Sequence, residues 1–202
     1  VANLSGGLQT ALQTSAGVEV SLPWSTTATV TAFDSVFLDM TDTIGVSPPG
    51  DATTQIPRSL GGAKGLEVYI RRSLSSRSGG FLSYTLSRTT RTIDGQTFPA
   101  AFDRTHVFNS AVAFDLGRGW RFGTRFTLYS GAPQLTVPNG FPATYKPSDP
   151  VRDPAFYRID FRLEKKWTIA HVGWISFVAE MLNATLDKET IDGQEVGPVT
   201  IP

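Results

Sequence analysis

The sequence has no cysteine, which excludes disulfide staples and thiolate metal sites and leaves the redox compartment undecided. It has only two histidines, His106 and His171, far apart and without metal-ligand spacing. Charge of one sign is not in excess either: lysine plus arginine equals aspartate plus glutamate at 18 each. Nucleic acid is therefore not an expected partner, because a phosphate-tracking surface needs a basic surplus. No apolar run approaches the roughly 18 to 20 residues of a membrane-crossing helix. That excludes helical spans only, since the strands of a membrane barrel hide their hydrophobicity in alternation. The sequence opens on Val1 without an initiator methionine or a signal-peptide pattern. It stops at Pro202, after Gly197-Pro198-Val199-Thr200-Ile201, which reads as the approach to another strand. A piece of a longer protein is the expectation.

Alternation is what the chain does have. In Phe156–Trp167, Tyr157, Ile159, Phe161 and Leu163 share one side of an extended strand, and Arg158, Asp160, Arg162 and Glu164 share the other. The same signature returns along the sequence. Strands are expected over about Leu8–Leu22, Thr26–Met40, Gly65–Leu74, Gly80–Arg91, Thr105–Leu116, Trp120–Ser130, Phe156–Trp167 and Val172–Leu182. That makes about eight, each near or above the ~9 to 11 residues of a tilted membrane strand.

The connections alternate as well. Short turns fall near residues 23–25, 75–79, 117–119 and 168–171, and long polar loops near 41–63, 92–103, 131–155 and 183–198. Periodicity alone does not separate a membrane barrel from a soluble β-sandwich. Sorting of short turns to one rim and long loops to the other favours the barrel. Trp24, Trp120, Trp167 and Trp174 lie beside the short turns, where an interfacial girdle would place them; in a soluble fold they would plug one end of the core. The expected fold is all-β, an antiparallel transmembrane barrel segment spanning residues 1–202.

Catalytic chemistry has no visible address, and neither an enzyme nor a cofactor is expected. Neither histidine sits in a nucleophile motif, and Gly117-Arg118-Gly119-Trp120 has glycines but no following helix to cradle a phosphate. Asp34, Asp39 and Asp42 match no calcium-loop spacing and read as solvated acids. His106 beside Asp103 reads either as a pH-sensitive pair or as an anchor between loop and strand. Glu67, Arg121, Arg125, Arg158, Asp160, Arg162 and Glu164 are the lumen-facing candidates, on strands whose other face is apolar. Their adjacent opposite charges cancel, so ligand contact is expected instead from the long loops, at Tyr145, Lys146 and Arg152.

Several segments taken in order resemble a known family. Gly65-Leu66-Glu67-Val68-Tyr69-Ile70-Arg71-Arg72 followed by Gly80-Phe81-Leu82-Ser83-Tyr84-Thr85-Leu86-Ser87-Arg88 resembles a late hairpin of a TonB-dependent outer-membrane receptor. Asp103, His106 and Asn109 are similar to its Asp-x-x-His-x-x-Asn lead into the next strand. Gly119-Trp120-Arg121-Phe122-Gly123, Tyr129-Ser130-Gly131-Ala132-Pro133, Arg158–Arg162 and Glu180-Met181-Leu182-Asn183-Ala184-Thr185 extend the resemblance. It implies a barrel of about 22 strands around a plug, located in the bacterial outer membrane. It also implies uptake of a scarce nutrient: chelated metal, cobalamin or oligosaccharide. The implied partners are outer-membrane lipid, the remaining barrel strands, the plug domain, and an inner-membrane energy-coupling protein reached through an N-terminal part. The sequence shows no plug, no energy-coupling box and no terminal aromatic strand. A structural or adhesive outer-membrane barrel without transport, and a soluble β-sandwich binding module, are the other expectations.

Overall fold

The computed structural model describes residues 10–40, 59–73, 77–93, 96–100, 102–134, 151–170, 172–191 and 194–196. Over these residues the chain is all-β. The long strands are β1 (Thr10–Leu22), β2 (Thr26–Met40), β3 (Ser59–Arg72) and β4 (Ser78–Ile93). After the short β5 (Gln96–Pro99) come β6 (His106–Gly117), β7 (Trp120–Tyr129), β8 (Phe156–Ile169) and β9 (Gly173–Met181). A small separate hairpin, β10 (Glu189–Ile191) with β11 (Gln194–Val196), follows. One antiparallel sheet of nine strands runs β1-β2-β3-β4-β6-β7-β8-β9, with β5 added beside β4. It is not closed: among the described residues β1 pairs only with β2 and β9 only with β8.

The differences from sequence expectation have one cause. Ser59–Lys64 reads as loop because Gly61 and Gly62 carry no facial signal, yet it is the first part of β3. Phe37 on one side and Arg91 on the other both align with Gly61, so flanking strands that must pair their backbone groups recruit it. β5 occupies part of the expected 92–103 loop, and β10 and β11 part of the 183–198 loop, because strands of three or four residues show no readable period.

Cross-strand partners share a face, so the register sorts every side chain. One row runs Val18, Val30, Val68, Tyr84, Phe108, Leu128, Tyr157. Another runs Phe114, Phe122, Leu163, Ala179. Along these rows the face is apolar from the first strand to the eighth in the path, with Asp34, Lys64 and Arg88 level with one another nearer the long-loop end. The opposite face carries rows such as Glu19, Thr29, Tyr69, Ser83, Asn109, Thr127, Arg158. No second layer covers the apolar face among the described residues. Val18 is 65% exposed and Phe177 60%, and the buried hydrophobic side chains among the described residues include little beyond Phe98 and Ala100.

The register also fixes an obliquity. Leu22, which ends β1, is level in turn with Thr26, Arg72, Gly80, Val112, Thr124 and Phe161. Phe161, however, stands eight residues short of Ile169, where β8 ends at its own short turn. Eight residues rise about 26 Å and six strand spacings cover about 29 Å, so the line of short turns crosses the strands at a tilt of about 40°.

Neighbouring strands approach closely at Gly65. A Cβ there would collide with the Leu86 carbonyl oxygen and stand 2.8 Å from the Phe33 ring, whereas at Gly62 it would meet nothing closer than Thr90 Oγ1 at 3.4 Å. Gly65→Ala should therefore lower unfolding free energy by about 1–3 kcal/mol in a urea titration. Gly62→Ala, in the same strand, should be neutral within about 0.5 kcal/mol.

Candidate functional site

The charged face is densest over β7, β8 and β9. Register rows bring together Arg71, Phe81, Ala111, Arg125 and Asp160, and beside them Gly79, Ala113, Gly123, Arg162 and Glu180. The small residues Gly79, Ala111, Ala113 and Gly123 floor a concavity of about 470 Å³, with Phe81, Arg125, Asp160, Arg162 and Glu180 around it. The charges pair among themselves. Arg158 Nε meets Asp160 Oδ1 at 2.6 Å, and Arg125 reaches Asp160 Oδ2 at 3.9 Å. Arg162 meets Glu180 at 2.6 Å and Glu164 at 3.7 Å. Asp160 also accepts the Asn183 N–H at 2.8 Å. The exposed Arg162–Glu180 pair contributes about 0–1 kcal/mol, so it neutralises the wall more than it holds it together, whereas Asp160 is buried among its partners.

Glu67 and Arg121 lie on this same face, since Glu67 is level with Thr85 and Arg121 with Glu164. The aromatic pair Tyr69 and Phe81 also stands there, ring centroids 6.1 Å apart and each partly exposed. Sequence reading placed those rings with no role, although their odd parity against Val68 and Leu82 marks the face.

A different arrangement holds the long-loop end. β3 lines one edge of β4 from Gly80 to Thr92, while β6 and β5 share the other, β6 along Ser78–Leu86 and β5 along Thr90–Ile93. The Thr89 N–H falls in the gap between them, and Asp103 Oδ1 accepts it at 2.5 Å. Asp103 is fully buried, and its Oδ2 meets Arg152 Nη2 at 2.6 Å. Arg152 Nη1 donates to the backbone carbonyls of Asp103 at 2.9 Å and Gly131 at 3.1 Å. Gly131 is obligatory, because a Cβ would overlap the Asp153 carbonyl. Asp153 in turn accepts from Gln134 Nε2 at 2.9 Å. One guanidinium thus ties the β5–β6 and β7–β8 connections to the sheet.

A third connection joins at the same end. Arg104 places its guanidinium 3.9 Å from the Tyr129 ring centroid and meets Glu189 at 2.9 Å. Tyr129 stacks on Phe156 at 5.0 Å. Past β9 the chain follows β8: Ala184 N–H donates to Ile159 O at 2.8 Å and Tyr157 N–H to Asp187 Oδ2 at 3.0 Å. Asn183, at φ 52°, makes that change of direction in a region asparagine tolerates.

Two of the singled-out residues have partners within the sheet. Arg152, expected to contact ligand, spends its guanidinium on Asp103 and Gly131 and acts as a strut. His106 is not paired with Asp103; its Nδ1 lies 2.8 Å from Tyr84 Oη, because one step of strand puts the imidazole on the apolar face. Tyr145, Lys146, Asp42 and His171 lie outside the described residues. Of the tryptophans, Trp24 sits in the β1–β2 turn, and Trp120 and Trp167 stand on the apolar face. Trp174, level with Thr168, stands on the charged face with Lys166 Nζ 4.6 Å from its ring. Among the described residues no three histidine, aspartate or glutamate side chains gather as a metal cluster, and no helix is long and apolar enough to cross a membrane.

Arg152→Ala would leave a fully buried carboxylate with its main cation gone, and should cost about 3–5 kcal/mol in equilibrium unfolding. Arg88, 3.6 Å from Asp103 and 47% exposed, should cost no more than about 1 kcal/mol when replaced by alanine. Compared with known proteins, the chain matches no family model, no curated protein and no solved structure.

Proposed function

We propose that this chain is a stretch of β-barrel wall in a bacterial outer membrane, apolar face to lipid and charged face to a wet lumen, serving energy-dependent uptake of a scarce nutrient. One observation supports the wall reading above the others: an apolar face eight strands wide with no layer over it among the described residues. A soluble sheet of that kind would need a second sheet packed about 10 Å away.

The geometry supports the same reading. A tilt near 40° is the range of strands in outer-membrane barrels. On β3 the apolar face holds Leu66, Val68 and Ile70 between Lys64 and Arg72. At that tilt the interval spans about 20 Å along the membrane normal, and both end charges can snorkel outward to complete a belt of about 25 Å. The edges of β1 and β9, unpaired among the described residues, would cost several kcal/mol per backbone group in lipid, so further strands of the wall belong beside them.

The uptake part rests on the sequence resemblance to TonB-dependent receptors. It names the remaining partners: a plug within the lumen and an inner-membrane energy-coupling protein. The self-neutralised charged face suits a lumen wall that tolerates water, and the Asp103–Arg152 latch suits loops that must hold their position at the mouth.

Two outcomes follow. Phe161 stands midway between Tyr157 and Lys165 on the apolar face. Phe161→Arg should therefore lower folding free energy in bilayers by about 2–4 kcal/mol, and Arg162→Gln by less than about 1 kcal/mol. Cells lacking the protein should lose growth when chelated iron, cobalamin or an oligosaccharide is the limiting supply, and collapsing the inner-membrane proton gradient should abolish the same uptake in intact cells. Unchanged growth on all three classes would leave a structural barrel without transport.

A further inference from the structure

A cation interrupts the apolar face beside the β6–β7 turn. Lys165 is level with Trp120 on one side and Phe177 on the other, and Trp167 follows it two residues along the same strand. Its ammonium lies 5.1 Å from the Trp120 ring centroid and 5.7 Å from that of Trp167, and donates to the Arg118 carbonyl in the β6–β7 turn at 2.5 Å. An ammonium has three donors, and among the described residues no carboxylate meets this one. Leu163, Ile175 and Phe177 around it are all exposed. The stacked rings of Phe122 and Phe161, 6.1 Å apart, continue the apolar surface away from the turn.

We infer that Lys165, held between Trp120 and Trp167, is a binding site for the phosphate of an anionic glycerophospholipid. This rests on the proposed membrane wall. The pattern is that of an amphiphile's complement: one fixed positive charge at the turn-side margin, then apolar and aromatic surface running toward mid-membrane. The two indoles desolvate the ammonium without neutralising it, which strengthens its attraction for a single anionic group. The carbonyl of Arg118 fixes where that charge stands, so the site is positioned before a lipid arrives. Lys166, next in sequence, faces the other way with Trp174 and takes no part.

The test uses the protein reconstituted in phosphatidylcholine vesicles containing a minor fraction of brominated phosphatidylcholine or brominated phosphatidylglycerol. Quenching of tryptophan fluorescence reads the lipid beside Trp120 and Trp167. Phosphatidylglycerol should be enriched about fivefold over phosphatidylcholine at the protein. Lys165→Gln should bring the two lipids level, while Lys165→Arg and Lys166→Gln should keep the preference. Equal quenching by both lipids in the unmodified protein, or a preference that survives Lys165→Gln, would overturn the lipid site and leave the wall reading standing. No quenching by either lipid would overturn the wall reading itself.

Discussion

Everything else in the structure depends on one constraint: antiparallel backbone pairing holds each strand in a fixed register with its neighbours. A one-residue slip would move every side chain of a strand to the opposite face. With the register kept, Val18, Val30, Val68, Tyr84, Phe108, Leu128 and Tyr157 fall in one line from six pairings that each know only their own neighbour. Three of those pairings, β1 with β2, β3 with β4 and β6 with β7, close through short turns: Trp24 and Ser25 adopt φ near 60° and 55°, and Gly117, Arg118 and Gly119 are all at positive φ. Local turn chemistry therefore sets the register within hairpins, and backbone pairing carries it from one hairpin to the next.

The long-loop end is held by a different means. Backbone pairing gives way there to side chains that imitate it: Asp103 for the missing partner of Thr89, Asp187 for that of Tyr157, and Asp160 for that of Asn183. Each is a carboxylate accepting a backbone N–H, a charge-assisted bond stronger than the amide pair it replaces. The result lets connections leave the sheet without exposing unpaired donors. It concentrates acids where the chain changes direction: Asp103 is fully buried and Asp160 nearly so, while Arg162 and Glu180 on the strand face remain open.

The main strands and their faces were legible in the sequence because alternation is a local signal. Arg158-Ile159-Asp160-Phe161-Arg162 announces its two sides without any knowledge of its neighbours. The opening of β3 was not legible, since Gly61 and Gly62 have no side chain to show a side. The latch was illegible for another reason: Asp103 and Arg152 stand 49 residues apart and meet only once β4, β6 and β7 are in place. The Asp103-x-x-His106 spacing hinted at an anchor but named the wrong partner. Trp174 could be assigned to a turn but not to a face, because the alignment of Thr168 with Trp174 is set by how the β8–β9 turn closes. The Lys165 position was hidden by its charge, which read as one more polar residue at the end of an alternating strand.

The central claim is that the two faces of this sheet meet two different solvents. A nitroxide scan along β8 from Tyr157 to Trp167 in reconstituted protein tests it directly, with oxygen as the apolar and a nickel chelate as the aqueous collision partner. The account predicts a period of two: oxygen access high and nickel access low at 157, 159, 161 and 163, and the reverse at 158, 160, 162 and 164. Low access to both reagents at the apolar positions would mean that protein, not lipid, covers that face, and would contradict the account.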